Sequence, residues 1–188
     1  MSEDLGLSSH PLSDLFPQPE SIEEWTSYCL SEDQLLEFQE KGFIHGIKVL
    51  NHDQIEVLRR ELSEMFVPEH EGREFFYEYH SNESTIPETV LFHALGAWRV
   101  RKAFHDILWN PAFVMPAYQL LGNGFRFFHD QIFCKPAYHG SVVSWHQDFS
   151  YWTWTQPMHH LTCWIGLDDS NEENGCVHYV PGSHRWGL

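Results

Sequence analysis

Ser144-Trp145-His146-Gln147-Asp148-Phe149 reads as a β-strand with one polar and one apolar face. On a strand, His146 and Asp148 leave the same side of the sheet. An imidazole and a carboxylate held side by side supply two members of the two-histidine, one-carboxylate triad. That triad holds non-haem Fe(II) and leaves positions open for substrate and O₂. Trp145 and Phe149 lie on the opposite face and call for packing. A polar face inside a small barrel needs a compensating partner, and a metal is one. The same pair on a solvent-facing strand would be an ordinary polar pair. From these residues alone the two readings stand level.

Outward from this stretch the pattern is one of short strands. Phe125–Phe133, Val142–Asp148, Leu161–Leu167 and Cys176–Val180 are expected strands. A Pro/Gly loop at 135–141, an Asp/Asn/Glu turn at 168–175 and Pro181-Gly182-Ser183 separate them. The earlier chain is more helical. Ser31 with Gln34 forms a capping box, and a helix follows to Lys41, ended by Gly42. Phe43–Val49 is an expected strand. Asn51 with Gln54 opens a second helix, whose buried stripe is Ile55, Leu58, Leu62 and Met65. Residues 67–90 are a long loop or short hairpin. Leu91 to Phe113 reads as helical with a break at Asn110-Pro111, and a last helical turn ends at Leu121-Gly122. Residues 1–30 form an acidic, partly disordered lead-in that Leu15, Phe16 and Trp25 pin to the body. Residues 31–188 are one domain, without internal repeats. Helices followed by strands give an α+β class, with a β-sandwich or barrel as the working half.

The chain has 188 residues, 42% hydrophobic and 15% aromatic, enough to fill a core. Its formal net charge is -16, and residues 1–40 carry ten Asp or Glu and no Lys or Arg. Nucleic-acid binding, which needs basic surface, is excluded, and so is docking on anionic membranes. Arg99, Arg101 and Lys102 form the basic cluster, read as a solvated helix face. Four cysteines without a C-x-x-C pair, and an acidic rather than basic start, point to reduced thiols in a soluble, cytoplasmic protein. No apolar run reaches the length of a membrane span.

Several residues join His146 and Asp148 as site candidates. Trp164 is either core or the wall of a pocket for a planar oxo-acid. Gln131, polar amid Phe128, Ile132 and Phe133, leans toward a ligand. Tyr151, Trp152 and Trp154 follow the metal pair as an aromatic rim for an organic substrate, or as an ordinary packed loop. His159, His160, His178 and His184 are the in-chain candidates for a third ligand, and none has decisive spacing. His184, on a turn, is better placed to cap backbone.

The ordered blocks Lys135-Pro136, Trp145-His146-Gln147-Asp148, Cys163-Trp164, Glu173-Asn174-Gly175-Cys176 and Pro181-Gly182-Ser183-His184 resemble the phytanoyl-CoA dioxygenase family. So does the opening phrase Phe38-Gln-Glu-Lys-Gly-Phe43. The resemblance implies a double-stranded β-helix, a cupin-like jelly roll, with the N-terminal helices packed on its larger sheet. It implies Fe(II) held by His146 and Asp148, 2-oxoglutarate as cosubstrate beside Trp164 and Gln131, and O₂ as oxidant. The implied reaction is hydroxylation of a small organic, hydrophobic molecule, coupled to decarboxylation of 2-oxoglutarate. Asp148 favours hydroxylation over halogenation, since related halogenating enzymes lack the carboxylate ligand.

In the family the distal His ligand and the Arg that pairs with 2-oxoglutarate lie beyond the Pro-Gly-Ser-His turn. Their absence here gives the expectation of a fragment lacking the last strands, weakly active or inactive, with exposed sheet edges open to association. Two alternatives stay open. One is a non-catalytic binding or interaction module that retains the fold. The other is a cupin-type metalloprotein completed by a local histidine.

Overall fold

The computed structural model describes residues 3–152 and 156–187. Trp154 lies outside them. The architecture is mixed α/β, with helices concentrated before residue 122 and a small antiparallel sheet.

The helices begin where their side chains can cap them. Helix α1 (Ile22–Thr26) starts at Ser21, whose hydroxyl accepts the Glu24 N–H. Before α2 (Glu32–Lys41), the Ser31 hydroxyl accepts the Gln34 N–H, and the Gln34 side chain accepts the Ser31 N–H. Asn51 and Gln54 repeat this exchange, at 2.9 Å in both directions, ahead of α3 (His52–Met65). Each cap stabilises its helix by about 1 kcal/mol. Gly42 ends α2 at φ +85°, a left-handed conformation costly for any residue with a Cβ. Helix α3 buries Leu58 and Met65. Two more helices follow, α4 (Lys102–Asp106) and α5 (Pro111–Leu121). Asn110 caps α5, and Pro111 occupies its first turn, where a missing N–H costs nothing.

The sheet has the order β1-β2-β3, from β1 (Glu78–His80), β2 (Phe92–Leu95) and β3 (Gln131–Cys134). Both pairings are antiparallel, with His80 opposite His93, and His93 opposite Phe133. Tyr79, Phe92, Ala94, Ile132 and Cys134 face a core that includes Leu62, Met65, Ala97 and Phe104. The alternation of the strands puts Glu78, His80, His93, Leu95, Gln131 and Phe133 on the other face. A second core joins Leu58 to Phe16, Leu50 and Ala103.

Residues 3–30 lie against this body. Asp4 pairs with Arg99. The Leu12 N–H and Ser13 hydroxyl donate to the Asp106 carboxylate at 2.8 and 2.5 Å. Asp106 and its neighbour His105 are fully buried, with Nδ1 of His105 2.8 Å from Asp106 Oδ1. Burial pushes the Asp106 carboxyl up, but the hydrogen bonds from Ser13, His105 and Leu12 prevail and hold it below the usual carboxylate range.

Several expected elements differ. Residues 43–49, 142–148, 161–167 and 176–180 are not strands, and of 125–133 only the end enters β3. Alternating hydrophobicity specifies a face, whereas a strand also needs a neighbour's backbone to bond. None of the four has a ladder partner among the described residues. The apolar side meant for packing stays open, with Trp145 71% exposed. Of the jelly roll that the resemblance implies, the described residues show a three-stranded antiparallel sheet. The expected helix from Leu91 begins instead with the central strand β2, flanked by β1 and β3. Asp130 stops it, accepting the Gly96 and Trp98 N–H groups at 2.8 and 3.0 Å, while Gly96 turns at φ +101°.

The C-terminal turn clasps the end of α2. Gly182 N–H donates to Lys41 O at 2.8 Å, and the Arg185 guanidinium to Gln39 O at 2.6 Å. Ring nitrogen Nε2 of His184 lies 3.2 Å from the same carbonyl. No helix among the described residues is long and apolar enough to cross a membrane. All four cysteines are free.

Candidate functional site

His146 and Asp148 meet without a strand ladder. Gln147 between them is extended, at φ -111° and ψ 129°, so its neighbours emerge on one side. His146 Nε2 lies 3.3 Å from Asp148 Oδ1, and both side chains are partly open to solvent. His146 Nδ1 is 2.7 Å from Ser144 O, a contact that requires the proton on Nδ1. Nε2 is the ring nitrogen on the side of the carboxylate. Asp148 Oδ2 accepts the Thr162 hydroxyl at 2.9 Å, leaving Oδ1 on the His146 side. Adjacent ligands about 2.1 Å from one ion stand roughly 3 Å apart. The pair therefore has the spacing and donor chemistry of two cis ligands. Backbone and hydroxyl partners orient both groups, as at metal centres.

The other expected residues are more scattered. The Tyr151 ring stands edge-on to His146 at 5.5 Å, placing it at the pair. Trp152 belongs to an aromatic cluster with Phe128, His129 and His160. Gln131 is exposed on the outer face of β3, and Trp164 is half exposed. No hydrogen bond or ring contact among the described residues joins Gln131 or Trp164 to His146 or Asp148. His184 caps the carbonyl at the end of α2, its expected role. His178 lies 3.7 Å from Cys176 Sγ and edge-on to Trp145. Arg99 and Arg101 do not form a solvated face. Arg99 is held by Asp4, with its guanidinium 4.9 Å from the Tyr77 ring, and Arg101 Nε pairs with Glu64 at 3.3 Å.

Sequence reasoning missed two features. Thr162 orients Asp148, and nothing in its local sequence marks it. Glu78, His80 and His93 bring one ligand atom each within 4.8 Å of one another on the outer face of the sheet. The signal was Glu78-Tyr79-His80, an acid and an imidazole two residues apart, but its partner lies on β2, a segment read as helix. Among the described residues no third histidine or carboxylate joins His146 and Asp148 in such a group. His129 lies between the two regions electrostatically. Burial pushes its imidazole below the usual value, while the Asp148 and Glu78 carboxylates pull the other way.

The family model of phytanoyl-CoA dioxygenase matches residues 38–188. An ectoine dioxygenase of Halomonas elongata is 31% identical over 161 residues, covering 83% of this chain and 46% of that protein. An L-proline trans-4-hydroxylase of Streptomyces griseoviridis is 33% identical over 112 residues, 54% of this chain and 42% of that protein. Phytanoyl-CoA dioxygenase domain-containing protein 1 of Bos taurus is 28% identical over 198 residues, 85% of this chain and 67% of that protein. The chain spans about half the length of the first two relatives and two thirds of the third.

Proposed function

Because the chain belongs to the phytanoyl-CoA dioxygenase family, we propose that it carries the iron-ligand pair of an Fe(II)- and 2-oxoglutarate-dependent dioxygenase that hydroxylates a small organic molecule. The observation that carries this reading is the 3.3 Å approach of His146 Nε2 to Asp148 Oδ1, with Nδ1 turned onto Ser144 O. When bound, iron with 2-oxoglutarate and O₂ supplies the oxidising power for C–H hydroxylation.

The protein's own part is orientation. The Ser144 carbonyl keeps the His146 proton on Nδ1, so that Nε2 faces the metal. Thr162 fixes the rotation of the Asp148 carboxylate. Tyr151 presents an apolar edge beside the pair, suited to a substrate with a hydrophobic face. Gln131 and Trp164 are the proposed contacts of 2-oxoglutarate, in a jelly roll of which β1–β3 are part. The free edges of β1 and β3 are where a further strand or a second copy would pair.

The test is anaerobic titration of Fe(II) and 2-oxoglutarate into the purified chain, following the visible charge-transfer band. A band that disappears in His146→Ala and in Asp148→Ala supports the reading. Iron binding of equal strength in both variants would sink it. Thr162→Val is expected to weaken iron binding by about ten- to a hundredfold. A second reading is a non-catalytic module, favoured by the lack of a third ligand beside the pair among the described residues. It takes over if no band forms with this chain or with a chain extended to the length of its relatives.

A further inference from the structure

We propose that Glu78, His80 and His93 form a divalent transition-metal site, separate from His146 and Asp148, that takes zinc or a cation of the same class. The site follows from strand register. Glu78 and His80 leave the same face of β1, two residues apart. Antiparallel pairing puts His93 directly across from His80. The three ligand atoms lie within 4.8 Å of one another. Ligands around one zinc ion stand about 3–3.5 Å apart. The set closes by roughly 1 Å through rotation of Glu78 and His80, both exposed side chains.

His93 is the independent indication. It is only 7% exposed, and neither ring nitrogen has an aligned hydrogen bond. Buried imidazoles ordinarily find a partner. Glu83 Oε2 approaches Nδ1 at 2.7 Å, off the direction of an aligned bond. A carboxylate behind a ligating histidine is the usual way its ring is oriented and made more basic. The His93 ring is also clamped in plane, stacked on Phe133 at 4.6 Å and on His80 at 6.0 Å. One ring nitrogen would thus be steered by Glu83 and the other given to the metal.

Two imidazoles and one carboxylate select the borderline divalent cations, iron(II), cobalt, nickel, copper or zinc, over calcium and magnesium, which prefer oxygen alone. An ion here would tie β1 to β2 across the open face of the sheet. None of its ligands takes part in the iron reading.

The experiment is titration of the tag-free, metal-stripped chain with Co(II), following its visible absorption, with Zn(II) as competitor. Expected is one equivalent of Co(II), displaced by Zn(II), that remains in His146→Ala/Asp148→Ala, where the other pair can no longer hold a metal. His80→Ala and Glu78→Gln are expected to weaken it at least tenfold, with unchanged circular dichroism. Both positions are at the surface, so the variants should fold. No binding by the wild type, or binding unaltered in His80→Ala and Glu78→Gln, overturns the proposal. Loss in His146→Ala/Asp148→Ala with full retention in His80→Ala would assign the ion to the other pair and overturns it as well.

Discussion

Leu58 and Trp145 are both large apolar residues, and they sit at opposite ends of the exposure scale, 1% and 71%. Their surroundings differ in the same way. Around Leu58, helices satisfy their own backbone groups and capping side chains close the ends, so the segment needs only an apolar partner for one stripe. Around Trp145, the chain has the alternation of a sheet without a sheet to join. The exposed side chains of Val142, Trp164 and Tyr179 likewise belong to segments that expected a neighbouring strand. The contrast teaches that a helix carries most of its structure in its own sequence, while a strand borrows half of its structure from elsewhere.

Substitutions can break or sharpen that contrast. Leu58→Ala should cost about 2–5 kcal/mol in urea denaturation, since it opens a cavity in a closed core. Asp106→Asn should cost about 1–3 kcal/mol, because Leu12, Ser13 and the buried His105 lose a charged acceptor at a fully buried site. It should also change the acid response. The folded-state pKa of Asp106 is depressed, so its contribution is complete above the unfolded-state value of about 3.9 and is lost as pH falls through the folded value. The variant should lose less stability over that window than the wild type does. An unchanged acid profile would remove Asp106 from the account. Ser31→Ala should cost about 1 kcal/mol through the cap of α2, measurable as a shift in urea midpoint. Trp145→Ala should stay within about 0.5 kcal/mol. If it costs as much as Leu58→Ala, the residues around His146 and Asp148 are covered in solution and the contrast fails.

What could be read from sequence follows the same division. Ser31/Gln34, Asn51/Gln54, Gly42 and Asn110-Pro111 specify helix boundaries through contacts no more than a few residues long, and the structure forms all of them. Phe92–Leu95 could not be read this way. Its apolar run fits either a helix or a buried strand, and β1 and β3, thirteen or more residues away in either direction, decide between them. The adjacency of His146 and Asp148 was legible because it depends on one extended residue, Gln147. Thr162 and the Glu78/His80/His93 group were not, since each depends on which segments meet.

The clasp of the Pro-Gly-Ser-His turn on α2 has a consequence in time. Its contacts join Gln39 and Lys41 to residues 182–185, across 145 residues of chain in the case of His184. During synthesis at about 5–20 residues per second, α2 emerges roughly 7–30 s before the turn that covers its end. The Gly42 terminus therefore waits open on the ribosome, and the helical region has to hold its shape unaided for longer than most small domains take to fold. His146 and Asp148, which lie between β3 and the clasp in sequence, are among the later parts of this chain to find their setting.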